Sequence, residues 1–530
     1  MADNQEQHYN FLADRYLDIA CETLPVVKRV LSKHGHTSLS AYLQTLTQIH
    51  GASYQKRDDL IDIVRHYVSP LLGDSVGQRA ADDLRNYPIA LTANHHGVEF
   101  FSQTFQARLI FSLKAIAGFT SATSVPIFAF GNVPLNNPTY PRGLLLYRVK
   151  PSNLADVPIR LPIFPDRLKR VMVSTAPAFD RAMISKAEAR LGKIIGDGKI
   201  SPTLAKPLRK LLREDYGADL VLSLPTYSQQ SVVLNNRIWK RLFSNVGTVP
   251  DLIFLEIEKI VKELLKADLS NPNSLAWCLM FEPPLREKIL ENLDTVRGCW
   301  DRKKLARRFS GYSMDEDQKK LLKNCGTVFF WGIDSAGRRI PLSFETSGSG
   351  NEVLRGIDDR DNTWEFPYTP QAIIDGLQEN RLLPSLFVCF LVISFARGLS
   401  SIGGYFQGDY LNLIKQGLVA ALQNTAGYGD VAALVTRVPT DCYLDGMLTI
   451  MSEVEEGYLV PAGPVEIIAG GGIADVDIEK MLSLSVREAH LADMLETVSD
   501  GVPEKLLDPD WKEKLAKESW QFLAGKVVVK

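Results

Sequence analysis

The chain lacks the cysteine spacing that would build a metal cage or a disulfide frame. Its six cysteines, Cys21, Cys278, Cys299, Cys325, Cys389 and Cys442, are scattered, with no Cys-x-x-Cys. That usage fits a reducing compartment. An excess of charge is also missing. The net charge of −2 excludes a strongly basic footprint, so no nucleic-acid partner is expected. Long apolar runs are absent too. The longest charge-free one, Leu382 to Ala396, falls short of the roughly 20 residues a membrane span needs. It carries Pro384 near its start and reads as a buried core helix, so no membrane span is expected. The polar start, Met1 to His8, has no apolar h-region, so no signal peptide is expected and the cytoplasm is the expected location. The glycine-rich stretch from Thr346 to Asn351 is not followed by Gly-Lys-Ser/Thr, which excludes a Walker loop. No Gly-x-Ser-x-Gly elbow for a serine hydrolase is present.

What is there, over 530 residues with 45% hydrophobic and 23% charged content, is a globular chain too long for one small core. Residues 1–87 read as a helical N-terminal region. Leu39, Tyr42, Leu43, Leu46 and Ile49 recur at helical spacing after Thr37 and Ser38. Residues 88–250 read as the first part of a Rossmann-like parallel-sheet core. Ile89 to Ala93 is an uncharged strand, Phe101, Phe105, Leu109 and Leu113 form a helix stripe, and Val125 to Phe130 is the next strand, which together make a βαβ unit. Asp219 to Leu224 is a further expected strand. Residues 251–326 read as an inserted helical arm of coiled-coil type, with a basic cluster from Arg302 to Arg308. Residues 327–530 read as the second part of the core with C-terminal helices. A hairpin is expected around Asp334 to Gly337, and strands at Ala433 to Arg437 and Val465 to Ala469. The fold class is therefore α/β.

Only eight histidines occur, and two stand side by side in Asn94, His95, His96, Gly97, Val98, Glu99. This turn directly follows the first core strand, where α/β sheets bind ligands. Histidine titrates near neutrality and can take or give a proton. His96 is the expected acid/base, with Glu99 as its orienter. His95, Asn94 and Gly97 are expected to contact substrate or an oxyanion. Adjacent side chains of an extended segment point oppositely, so a shared metal is not the first expectation. Asn132, Tyr140 and Arg142, in the Asn/Pro loop after Phe130, form the expected facing wall. A second candidate lies around Gly403 and Gly404, with Arg397, Gln407, Asp409 and Tyr410 beside a buried element. Gln407, Asp409 and Tyr410 are expected to close the crevice.

The order of segments resembles the cysteine-adding bacillithiol synthase family. The resemblance rests on Ala93 to Gly97 followed by Ser102 and Gln103, on Val125 to Phe130 before Gly131 and Asn132, and on Ile402 to Tyr410 with its Gly-Gly pair. His95 and His96 stand where the family has Gln-Gln, and Asn and Pro replace its acidic loop. The resemblance implies a Rossmann-like core with an inserted helical arm, and an activity that joins or modifies a small amino-acid-like molecule. The leading expectation is thus a biosynthetic enzyme of ligase or transferase type forming a C–N or related bond. No cofactor is assigned, the partner is a small-molecule substrate, and self-association stays open. Two alternatives stand beside it. One is a metal-dependent hydrolase or oxygenase using His95 and His96. The other is a non-catalytic protein that binds a partner through the helical arm.

Overall fold

The computed structural model describes residues 11–47, 53–93, 95–244, 246–309, 325–348, 350–358, 362–455 and 457–530. Its centre is a parallel sheet of five strands: β1 (Ile89–Ala93), β2 (Ser124–Ala129), β3 (Asp251–Glu256), β4 (Ser400–Gly404) and β5 (Tyr443–Asp445). Their order is β5-β4-β1-β2-β3. The chain runs outward from β1 to β3, then returns to the other side of β1. Leu91 pairs with Ile127 on one side and Ile402 on the other. Every residue of β1, β2 and β3 is buried, as expected for parallel strands covered on both faces.

Four helices matter for the site: α1 (Ser102–Ile116), α2 (Tyr227–Lys240), α3 (Ile257–Leu269) and α4 (Tyr405–Gln423). Strand parity divides the core. Ile89, Leu91 and Ala93 pack with α1 residues Phe105 and Leu109, whereas Ala90 packs with α3 and α4 residues such as Leu264 and Leu411. Helix α1 is buried from Ser102 through Lys114, because a C-terminal lobe covers its outer face. Its polar residues are therefore enclosed and must find partners. Gln106 donates to the carbonyls of Ile450 and Ala462 at 2.7 and 2.9 Å, and accepts from the amides of Thr449 and Ile450 at 2.8 and 2.9 Å. One amide thereby ties α1 to a small sheet made of Ile450–Glu453, Leu459–Pro461 and Val528–Val529.

Several expectations need correction. Residues 251–256 are an edge strand of the central sheet, and Ile260, Val261, Leu264 and Leu265 of α3 are core residues. They do not project as an arm. Residues Asp219–Leu222, Gly429–Thr436 and Pro464–Ala469 are helical where strands were expected, because short apolar runs do not distinguish the two. At the last of these the helix signal is present: Pro464 opens it, and Glu466 accepts from the Gly463 amide at 3.1 Å. The hairpin is where expected, Phe330–Ile333 against Arg339–Thr346, inside a second, antiparallel sheet inserted between β3 and β4. The apolar run divides into strand Leu382–Pro384, helix Leu386–Phe390 and a wider helical turn, Leu391–Ala396. Among the described residues no helix is long and apolar enough to cross a membrane.

Arg397 is not beside Gln407. It lies before the amino end of β4 and is fully buried. Its guanidinium meets Asp59 at 2.6 Å and Asp268 at 2.8 Å, joining the N-terminal helices to α3. Asp268 is itself buried, so removing the cation leaves an uncompensated charge. R397M should lower stability by about 3–5 kcal/mol in urea unfolding; a loss under 1 kcal/mol would show that the triad is not a buried fastening.

Candidate functional site

From His95 to Phe101 the chain forms neither helix nor strand, with a bend at Gly97, and α1 starts at Ser102. The backbone of this turn is clamped from two sides. The His96 amide donates to the Phe130 carbonyl at 2.6 Å, at the end of β2. Asn235 of α2 accepts from the Glu99 amide at 2.9 Å and donates to the Gly97 carbonyl at 2.8 Å. Gly97 has φ +141, and a Cβ there would lie 2.7 Å from Pro141, so the Asn/Pro loop presses directly on the turn. The Tyr227 hydroxyl joins the two: it donates to the Pro141 carbonyl and accepts from the Val98 amide.

Two polar clusters diverge from this turn. The first lies on the α1 side. His95 Nε2 stands 3.1 Å from Glu99 Oε2, out of line for a hydrogen bond. Arg108 Nη2 is 3.9 Å from the same oxygen, and Arg108 Nη1 meets Asp445, the last residue of β5, at 2.7 Å. All four side chains are buried. Burial pushes the Glu99 carboxyl up, but His95 and Arg108 outweigh it and the net shift is downward. Burial raises Asp445 to about 6 against the opposing pull of Arg108. Among the described residues, both ring nitrogens of His95, Glu99 Oε2, and Nε and Nη2 of Arg108 have no hydrogen-bond partner. Buried polar atoms are nearly always paired, so this concentration marks a place for a ligand.

A further set of carboxyl groups meets the first residues of α1 and α4. Gln103 donates to Asp493 at 2.6 Å, Ser102 donates to Glu496 at 3.2 Å, and Tyr405, the first residue of α4, donates to Asp500 at 2.6 Å. Asp493 is buried, Glu496 half-buried and Asp500 exposed, so carboxyl groups lead inward from solvent. Burial, with repulsion from Glu496 and Asp500, holds Asp493 well above its ordinary range. Its Oδ1 has no partner among the described residues.

The second cluster surrounds His96. Its Nε2 lies 3.2 Å from both the carbonyl and the hydroxyl of Ser228, on the first turn of α2. Ser228 donates to Glu256 and accepts from Lys259 at 3.1 Å, and Lys259 pairs with Glu256 at 2.8 Å. Burial pulls His96 down to about 4, so it is neutral at pH 7. Next to it, Glu258 accepts from the amides of Gly131 and Asn132 at 2.8 and 3.0 Å. Burial, with the neighbouring Glu256 charge, pushes Glu258 up to about 8.

The expected residues therefore separate. Asn94 lies outside the described residues. Glu99 meets His95 rather than His96. The two imidazoles face different partners, and among the described residues no group of three or more His, Cys, Asp and Glu is arranged to hold a metal. Tyr140 (φ +59) packs against Arg160, and Arg142 binds the Phe164 carbonyl and Asp166; both shape the loop and do not face His95. Gln407 accepts from Thr92 at 2.5 Å and locks β4 to β1. A Cβ at Gly403 would meet its amide at 2.3 Å, which explains the Gly-Gly pair. Asp409 lies 3.4 Å from Arg29 on the outside of α4. Asn132 and Tyr410 do come together, in a cavity of about 510 Å³ beside the ends of β2 and β4.

Sequence reasoning missed Arg108, Asp445, Asp493, Glu496, Ser228, Glu256 and Lys259. Arg108 left a signal: it stands next to Leu109 inside an apolar helix stripe. The others come from distant segments and left none. No family model, no curated protein and no solved structure matches this chain. The fold and site define a mixed α/β protein with a five-strand parallel sheet and a cluster of buried polar side chains at its carboxyl edge.

A buried neutral imidazole has a definite pH signature. His96 is held below the unfolded value of about 6.5, so between those limits the unfolded chain binds more protons. Its contribution to stability is complete above pH 6.5 and is lost as pH falls through 4. The stability difference between wild type and H96Q in urea unfolding should shrink by roughly 3 kcal/mol from pH 6.5 to 4. A pH-independent difference would contradict a neutral His96.

Proposed function

We propose that the protein is a Rossmann-like small-molecule biosynthetic enzyme that joins or modifies an amine-bearing, amino-acid-like substrate in the crevice between β1 and β4. One observation carries this reading: buried atoms of His95, Glu99 and Arg108 that have no hydrogen-bond partner among the described residues lie together after β1, beside Asp445 of β5. The strand order supports it, because the order reverses between β1 and β4, and ligands in such sheets bind outside the carboxyl ends at that point.

The roles follow from the chemistry of each group. Asp493 and Glu496 receive the substrate ammonium, which relieves their mutual repulsion and restores charge to the carboxylates. His95 accepts the proton that the ammonium must lose before its nitrogen can attack the carbonyl carbon of an activated acyl co-substrate, whose leaving group departs with the bonding electrons as the C–N bond forms, and Glu99 stabilises the resulting imidazolium. The free Nη2 of Arg108 faces charge that develops on the acceptor oxygen. Asp445 holds the other arm of the guanidinium and fixes its direction. His96, neutral and wedged against Ser228, positions the turn.

The test is a thermal-shift screen of the purified full chain against the common free amino acids and simple amines. A binding amine at a hundredfold excess over its Kd should stabilise by roughly 2.7 kcal/mol. The gain should disappear in D493N and fall at least tenfold in affinity in E496Q. H95Q should retain binding but lose turnover of the same amine with an acceptor. If no amine stabilises the chain, or D493N binds as wild type does, the reading fails.

A further inference from the structure

The cavity of about 510 Å³ is separate from the groups around His95. Its walls come from four places in the chain. Phe130 and Asn132 follow β2, Phe406 and Tyr410 lie on the first turns of α4, Arg297 belongs to the segment after helix Pro283–Asn292, and Trp331 and Arg339 come from the inserted antiparallel sheet. Its size is that of a small-molecule site.

The chemistry of the wall is uneven. Three cations line it, Arg297, Lys304 and Arg339, against one acid, Asp301. Asp301 is already matched with Lys304 at 3.2 Å. Among the described residues no carboxylate lies within ion-pair distance of Arg297 or Arg339. Each guanidinium instead lies over an aromatic ring, Arg297 at 3.8 Å from the Phe406 centroid and Arg339 at 4.5 Å from that of Trp331. Arg339 also reaches the Asn132 carbonyl at 3.4 Å. Stacking on a ring fixes the plane of a guanidinium and leaves its edge N–H groups to bind an anion.

Tyr410 supplies an independent observation. It is 5% exposed, lines the cavity, and its hydroxyl has no hydrogen-bond partner among the described residues. Burying a hydroxyl unpaired is destabilising, and nothing in its packing against Phe390 needs the oxygen. A ligand acceptor would satisfy it.

We propose that this cavity is a second binding site, for a small ligand that joins an anionic phosphoryl or carboxylate group to a planar ring. The two stacked guanidiniums take the anion, the Tyr410 hydroxyl donates to it, and the ring lies along Trp331 and Phe406. The proposal does not depend on the amine site, since none of its residues contributes to that crevice.

Phenyl phosphate, benzoate and inorganic phosphate are suitable probes, titrated calorimetrically into the full chain. Saturable binding of phenyl phosphate or benzoate, at least tenfold tighter than inorganic phosphate, is expected. Which of the two binds more tightly identifies the anion. R297M and R339M should each weaken that binding at least tenfold, and Y410F should weaken it severalfold while leaving thermal stability unchanged or higher. R339K keeps the charge but loses the flat fork, so it should also bind weakly; it serves where R339M does not fold. Absence of saturable binding overturns the proposal. So does inorganic phosphate binding as tightly as phenyl phosphate, or affinity unchanged in both arginine variants. Amine binding at the first site should persist in R297M and R339M, so failure here and failure there are separable.

Discussion

The arrangement depends on one buried cation. Arg108 lies on the second turn of α1 with no access to water, and its guanidinium spans Glu99 in the turn after β1 and Asp445 at the end of β5. β1 and β5 are not neighbours; β4 lies between them. The cation therefore ties three chain segments together across the carboxyl edge of the sheet. A charge this deep is tolerated only when opposite charges and hydrogen bonds surround it. Here the two carboxylates supply charge, but Nε and Nη2 of Arg108 and both nitrogens of His95 remain without partners. The network is electrostatically closed and incomplete in hydrogen bonds.

The rest of the carboxyl edge holds this network in place. Gln407 pins β4 to β1 through Thr92, and Gly403 leaves the room this needs. Tyr227, Asn235 and Pro141 fix the turn from the α2 side. Gln106 uses its full amide to attach α1 to the C-terminal lobe, and that lobe brings Asp493 and Glu496 to the first turn of α1. These fastenings are well paired, whereas the groups they surround are not.

Much of this was legible in residues 88–130. An uncharged run, a turn, a stripe of apolar residues every four positions and another uncharged run can form little else but a strand, helix, strand unit. The edge strand β3 was readable in hindsight. Leu252 to Leu255 is a continuous apolar run between Asp251 and Glu256, suited to a buried parallel strand, before Ile260, Val261, Leu264 and Leu265 take up helical spacing. The longer helical pattern dominated and carried the whole stretch into an expected arm. The site shows the same limit. The histidine turn was visible, but its pairing depended on where α1 starts. A helix beginning between His96 and Glu99 would bring those two together. The helix begins at Ser102, so helical spacing does not join His96 to Glu99, and the Glu99 carboxylate lies 3.1 Å from His95 instead. Asp445 and Asp493 lie more than three hundred residues away in sequence, and no local pattern could have connected them to that pair.

The division of the two histidines has a further consequence for how the edge can work. His96 sits against a serine, a glutamate and a lysine whose charges cancel locally, so the protein has no electrostatic reason to protonate it, and burial holds it neutral. His95 instead faces the ionised Glu99 at 3.1 Å, and among the described residues its ring nitrogens have no hydrogen-bond partner. Two adjacent residues of one type thus receive different surroundings: one is kept as a fixed neutral wedge against α2, the other lies beside the buried carboxylate of Glu99. Exchanging the roles would require turning the segment by one residue, which the Gly97 contact with Pro141 and the bond from His96 to Phe130 both oppose.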